Sequence, residues 1–287
     1  MQAHPGLHHD IARATEAIEK EPGRADPYVD RAFLERLDDQ LEGALADLDQ
    51  AERLDPGNLR AAAERGMTLS ALRQDAQAER VLSRFLAAGT GSSPALAERA
   101  KVRERLGRPA EAVADYGAAL ALDPEIDWYM ARGRLQEALG DLGAAAAGYR
   151  DGLQRVGDSV VLELALIRVE TARGHDDAAL ELVDRQLAAA AVKTEWRLRR
   201  AELLELGGRA GEARAERDRA LREAEAAVEQ NATGIRLVSR ARALASVGRI
   251  DEARRDLRLA LDKSPRFTEA RELLETLGAA DDKGMKP

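Results

Sequence analysis

Arginine recurs at a fixed place along this chain. Arg31, Arg65, Arg99 and Arg132 follow one another at about 34 residues, Arg200 follows after about twice that, and Arg240 after a longer step. Asp47, Asp115 and Asp256 stand at one shared offset from Arg31, Arg99 and Arg240, and Glu216 stands at that offset from Arg200. Where the arginine gives way to Leu166, the partner place holds Leu182. Charge and countercharge therefore come and go together. That is the signature of ion pairs that hold elements together, and it argues against a basic ladder open to a ligand. Arg65 and Arg132 have no acid at the offset, and this rule leaves them unexplained.

Other reactive side chains are sparse. His4, His8 and His9 cluster near the start, where metal binding is conceivable, but Pro5 and Gly6 oppose the helical turn that would join His4 to His8. A solvated arm is the expectation for residues 1–9, with no metal site. His175 sits in a glycine turn beside Asp176 and is expected to be exposed. The run Gly-Thr-Gly-Ser-Ser at 89–93 lacks the lysine of a phosphate loop and reads as a linker. Neither a G-x-S-x-G nor an H-E-x-x-H sequence occurs, and no pair of carboxylates stands out as general acid and base. The expected function is non-catalytic, with no cofactor.

Composition narrows the class. Alanine, leucine, arginine and glutamate dominate the 287 residues, 33% are charged and only 3% are aromatic. This is the palette of closely approaching helices, with too few large side chains for an ordinary single core. A net charge of −8 argues against general nucleic-acid binding. Cysteine is absent, which excludes disulfides and thiolate chemistry. No apolar run is long enough to span a bilayer. The opening residues carry neither a basic start nor an apolar stretch, so the cytoplasm is expected for the chain as it stands, or export if a signal preceded Met1.

Internal similarity decides the fold. The segments 25–58, 93–126 and 234–267 align, closing on L-D-Q-A-E-R-L-D-P, Y-G-A-A-L-A-L-D-P and L-R-L-A-L-D-K-S-P. An alanine column runs through Ala44, Ala78, Ala112, Ala145, Ala179, Ala213 and Ala253, at about 34-residue steps except for a last gap longer by about two helical turns. A methyl group is the largest side chain that lets two helices nest closely. Each unit reads as two helices joined at Gly107, Gly140, Gly174, Gly208 or Gly248, and Pro56, Pro124 and Pro265 close units. In the third unit Ala112, Tyr116, Ala119 and Leu120 share one helical face.

The pattern resembles the tetratricopeptide repeat (TPR) family over nearly the whole chain, in the alanine column, the closing prolines and a small residue at the eighth place (Ala32, Gly66, Ala100, Gly133, Ala201, Ala241). Phe85, Ile167 and Gln186 depart from it by standing where small residues are usual. The resemblance implies an all-α, right-handed superhelical solenoid of about seven helix pairs with half-repeat caps. It would occupy residues 10–278, opening on a lone second helix over 10–23 and ending on a capping helix over 268–278, with a disordered tail over 279–287.

In that family the ninth place of each first helix lines a concave groove. Here it reads Phe33, Met67, Lys101, Arg134, Arg168, Glu202 and Arg242: apolar at the start, then mostly basic. Phe33, Met67, Lys101, Arg134, Arg168 and Arg242 are the expected contacts for a partner peptide or protein of unspecified identity. The plainer alternative is a solvated helix face, because Glu64, Glu98 and Glu137 lie close by. The family's capture of chaperone carboxyl termini uses asparagines on first helices, and Asn58 and Asn231, the two present, do not lie on them. An interaction scaffold is the expected function. Its rivals are an exported accessory protein with a metal-binding arm and a structural homo-oligomer. The lengthened helix over 211–230, rich in pairs such as Arg219 with Glu223, is expected to project beyond the stack.

Overall fold

The computed structural model describes residues 5–89 and 91–284, with side chains described for 6–89 and 91–278. The described residues form helices and their connections, with no strand. Helix α1 (Pro5–Lys20) stands alone. Seven pairs follow, of which the first three are α2 (Asp26–Leu37) with α3 (Leu41–Leu54), α4 (Leu59–Ala71) with α5 (Asp75–Ala87), and α6 (Ser93–Arg105) with α7 (Pro109–Leu122). Next come α8 (Ile126–Ala138) with α9 (Leu142–Val156) and α10 (Val160–Ala172) with α11 (Asp176–Ala189). The last two pairs are α12 (Thr194–Leu206) with α13 (Ala210–Gln230) and α14 (Gly234–Ser246) with α15 (Ile250–Lys263), before a closing α16 (Thr268–Gly284). The chain divides into two compact units, residues 1–162 and 163–287.

The two ends differ from expectation. Helix α1 begins at Pro5, so His8 and His9 lie on a helix where an arm was expected. Proline opens a helix readily because its missing N–H would have no partner in the first turn. His4 lies outside the described residues. At the other end α16 continues to Gly284, past the expected limit of 278, and residues 285–287 of the expected tail lie outside the description. Its Ala270 is fully buried, and Leu273, Leu274 and Leu277 pack on the core of the second unit.

The helix boundaries have local causes. Asn58, Ser92, Asp141 and Thr233 accept hydrogen bonds from backbone N–H groups three residues on, capping α4, α6, α9 and α14. Within pairs, Gly107, Gly140, Gly174, Gly208 and Gly248 all take positive φ between 72° and 81°, which turns the chain back on itself. In the first two pairs Asp39 and Arg73 take that conformation at φ 63° and 59°. Hydrogen bonds from Gln40 N to Glu35 O (2.8 Å) and from Gln74 N to Leu69 O (2.9 Å) close the same turn there, so glycine is preferred but not obligatory.

The alanine column is the seam of the structure. Ala44, Ala78, Ala112, Ala145, Ala179, Ala213 and Ala253 are all fully buried. Opposite them the eighth place is graded to its partner. Gly66 faces Leu82, and Gly133 faces the ring of Tyr149, which a Cβ at Gly133 would approach to 2.2 Å. Tyr149 is itself fully buried, its hydroxyl donating to Glu137 Oε1 at 2.8 Å. A large knob thus enters a hole that only glycine leaves open. Phe85 and Ile167 are buried where small residues are usual. Gln186 donates to the buried carboxylate of Glu163.

The arginine column clamps helices. Arg31 binds Asp47 through Nε and Nη2, both at 2.6 Å, and Arg240 binds Asp256 with the same geometry. Arg99 binds Asp115 at 2.8 and 2.6 Å. Such forks match guanidinium to carboxylate, and they raise the pKa of Arg31 and Arg240 above the ordinary range against the opposing cost of burial. Arg31 and Arg99 also reach back to the hydroxyls of Thr15 on α1 and Ser83 on α5, each at 3.2 Å, so each ties the preceding helix as well. That backward reach explains Arg65, which binds Asp49 at 2.5 Å on the preceding second helix. Arg200 also turns back, to Asp184 at 2.6 Å, while Glu216 lies at 3.6 Å as a lesser partner. Gly148 occupies the place where Arg132 would need an acid, and the Arg132 guanidinium lies 5.5 Å from the Tyr129 ring centroid instead. Leu166 and Leu182 are both buried.

Three outcomes test this packing. Gly133→Ala should overpack the contact with Tyr149 and lower stability by about 1–3 kcal/mol in chemical denaturation; an unchanged midpoint would refute the contact. Asp115→Ala should cost about 3 kcal/mol, because Arg99 and Arg103 both lose a carboxylate. Changing Arg99 and Asp115 together to leucine should recover much of it, whereas additive losses would show the two are uncoupled. Glu35 is the counter-case: burial, then the charge of Asp47, pushes its carboxyl above the ordinary range, and its Oε2 is buried without a partner. A raised folded-state value means stability falls as pH rises from the unfolded to the folded pKa. Glu35→Gln should therefore stabilise by about 1 kcal/mol at neutral pH and make no difference in acid, where the carboxyl is already protonated.

Candidate functional site

First helices of successive pairs touch within each unit, α2 with α4 and α4 with α6 in the first, α12 with α14 in the second. They form the closer-packed side, and the ninth-place residues ride on them. In the first unit Phe33 is 40% exposed and borders an open cleft of about 430 Å³ between α1 and α2, shared with Ala14, Ala17, Asp10 and Asp30. The Arg36 guanidinium lies 5.5 Å from the Phe33 ring centroid while binding Glu64 at 2.8 Å. Met67 is half-buried and packs on the core between α4 and α5, so it presents less of itself than expected.

Lys101 is exposed and lies 3.1 Å from Glu98 Oε2. That carboxylate also accepts from the hydroxyl of Ser70 at 2.5 Å. Arg134 is exposed, and among the described residues it has no hydrogen bond or ion pair. Its charge is felt at Tyr116, whose phenol burial pushes up to about 12, Glu104 and Glu98 adding to the rise and Arg134 opposing it. Of the three acids behind the alternative of a solvated face, Glu64 and Glu98 are half-buried and engaged between successive pairs, and Glu137 accepts from Tyr149 within its own pair.

In the second unit Arg168 is exposed on α10 and Glu202 on α12. Arg242 on α14 is held between two carboxylates, Glu195 at 3.2 Å and Glu269 on α16. Arg242 is thus a fastener between first helices more than a free cation.

One hollow in the second unit was not foreseen. A cavity of about 680 Å³ opens in the second unit between α12, α13, α14 and α16. Ala224, Ala227 and Val238 give it an apolar lining, with Val192 and Ile235, which are 70% and 74% exposed. Glu195, Glu223, Ser239, Arg242 and Glu269 supply polar groups. Its cause is the length of α13. That helix has 21 residues against 13–15 for the other second helices, and its extra turns do not project: Ala224 and Val228 are buried and join the core of the last pair. The charge pairing along it also differs from expectation. Arg219 binds Glu216 at 2.6 Å, and Glu223 accepts from Arg197 Nε at 2.8 Å. The long gap before Ala253 was the available signal, but spacing does not say which face of an extended helix is covered.

His175 is half-exposed and lies 2.8 Å from the buried carboxylate of Glu170. His8 lies 3.7 Å from Asp38. Among the described residues, no group of three or more histidine, cysteine, aspartate or glutamate side chains is placed to hold a metal ion, and no helix is long and apolar enough to cross a membrane.

Residues 93–126, the third unit, match the tetratricopeptide repeat family. Among curated protein sequences none matches the chain. Among solved structures, a tetratricopeptide repeat protein from Parabacteroides merdae is 20% identical, covers 88% of this chain and 98% of its own length, and has a TM-score of 0.50. The C-terminal part of a TPR repeat-containing protein from Cytophaga hutchinsonii covers 85% and 98%, at 14% identity and a TM-score of 0.60. YrrB, described as a TPR protein with an unusual peptide-binding site, covers 61% and 91%, at 22% identity and a TM-score of 0.51. With its helix pairs, its buried alanine column and its matching third unit, the chain has the tetratricopeptide-repeat fold.

Proposed function

We propose that this protein is an interaction scaffold that holds a segment of a partner protein against the first helices, without catalysing a reaction. The observation that carries this reading is a contrast within the first unit. Most charged side chains between successive first helices are matched, as Arg36 is by Glu64 and Arg60 by Asp30 at 2.7 Å. Arg134 stands exposed without such a partner, and the Phe33 ring stands exposed beside a cleft. An unmatched guanidinium offers a bidentate donor to an acidic group, and an exposed ring offers apolar area at little entropic cost. A peptide-binding site in the structural relative YrrB supports the same reading. Lys101 gives a second cation on that row, while Arg242, in the second unit, is already held by Glu195 and Glu269 and is no part of the proposal.

Charge should act mainly on encounter and the ring on residence. The test is affinity capture of partners from the source cell, followed by titration of the recovered partner against recombinant variants. Arg134→Glu should slow association and flatten its salt dependence. Phe33→Ala should speed dissociation, with the melting temperature of both variants near the parent's. Unchanged rates in both variants would remove this face as the binding surface.

A further inference from the structure

The arginine column has one unfilled clamp. Arg31, Arg65, Arg99, Arg200 and Arg240 each bind an aspartate sixteen residues away, at 2.5–2.8 Å. For Arg132 the two places at that separation hold Gly148 on α9 and the buried Tyr116 on α7. Its guanidinium spans successive second helices, as that of Arg99 does, but over bare backbone. A methyl group on Gly148 would stand 3.0 Å from Nη2, and one on Gly117 would stand 3.7 Å from Nη1. Apart from the Tyr129 ring face, Arg132 has no partner among the described residues. Its Nε is sealed from water and out of reach, but Nη1 and Nη2 are not sealed, and the site rests on them.

The acids nearest in sequence are already engaged. Asp115 is bound by Arg99 and Arg103, Glu137 accepts from Tyr149 at 2.8 Å, and Asp151 accepts from the Tyr129 hydroxyl at 2.7 Å. Arg155, 3.3 Å from that hydroxyl, adds positive charge beside the ring. Approach is open as well. One turn to either side of Gly117 stand the exposed Ala114 and Ala121, and one turn before Gly148 stands the half-buried Ala144. None of these can overhang the guanidinium.

We propose that Arg132 receives an aspartate or glutamate side chain from a partner protein, its carboxylate on Nη1 and Nη2 between α7 and α9. The occupant is acidic because the site repeats, less one side chain, a geometry that five arginines of the same column complete with carboxylates. Arg132 and Arg134 are two residues apart and so leave opposite sides of α8. The assignment rests on the scaffold reading above in taking a partner protein as the source of the acid, and it adds a contact on the second-helix side.

The probe is an array of randomised, end-blocked octapeptides exposed to the full chain, with retained peptides resynthesised and titrated by fluorescence anisotropy. Gly148→Asp supplies the missing carboxylate from within, so it should raise the denaturation midpoint and abolish binding of the acidic peptides. Gly148→Ala separates that gain from helix propensity and should keep them bound. Arg132→Gln should weaken binding by about tenfold to a hundredfold, with helical circular dichroism unchanged. Replacing the peptide's acid by its amide should cost affinity against the parent and little more against Arg132→Gln, since both changes remove one contact. Equal amide losses against both proteins, or undiminished binding to Gly148→Asp, would overturn the assignment. If only Arg134→Glu and Phe33→Ala weaken binding, the assignment fails and the scaffold reading stands; if only the Arg132 and Gly148 variants do, the first-helix face falls instead. A mass that rises with concentration for the parent but not for Gly148→Asp would make the occupant a second copy of this chain and overturn the partner assigned here. If no peptide is retained, both readings fail.

Discussion

Close approach of paired helices is the constraint on which everything else depends. Seven fully buried alanines, with a small residue opposite in six units, set how near the helices of each pair come. The grading from Ala32 to Gly133 shows that what is held constant is the gap and not the residue: Tyr149 is large, so its partner has no side chain at all. Nesting of this kind buries little apolar area per contact, because a methyl group has little to bury. A chain with 3% aromatic residues needs further sources of cohesion.

The arginine clamps supply one. Arg31 and Arg99 each bind a carboxylate on their own second helix and a hydroxyl on the preceding one, so a single side chain ties three helices. A fork between guanidinium and carboxylate is directional, and it fixes the rotation of one helix against the next where an alanine seam alone would tolerate sliding. Where the clamp is absent, buried Leu166 and Leu182 replace it by hydrophobic contact. The same stitching runs between first helices, through Arg36 with Glu64 and Arg60 with Asp30. Matching most charges in this way makes the exceptions informative, since an unmatched Arg134 or a partnerless Glu223 Oε2 stands out against a paired background.

The lengthened α13 shows how a repeat acquires individuality. Helix spacing in a regular stack is set by equal units, and two further turns in one second helix change what surrounds the next first helix. The buried face of those turns joins the last core, and the space opened between α12 and α14 becomes a cavity. Arg242 spans this region between Glu195 and Glu269. One ninth-place residue has thus become a structural strut, while its counterpart Arg134 in the first unit remains exposed.

The helix pairs, their turns, the alanine seam and three of the arginine–aspartate pairs were legible in the sequence because they follow from spacing along one chain, and a repeat prints each rule several times. Arg31, Arg99 and Arg240 announced their partners by a constant offset. Arg65 did not, because its partner Asp49 belongs to the preceding unit, and Arg200 chose Asp184 over Glu216 for the same reason. Tertiary structure alone decided those choices, since a long side chain reaches either neighbour and only the distances between packed helices select one. It also decided that Met67 is half-buried, that Arg242 is pinned, that residues 5–9 begin a helix, and that α13 covers its extra turns. The cavity beside Glu223 belongs to the same class: its walls come from four helices, and no local pattern encodes a space.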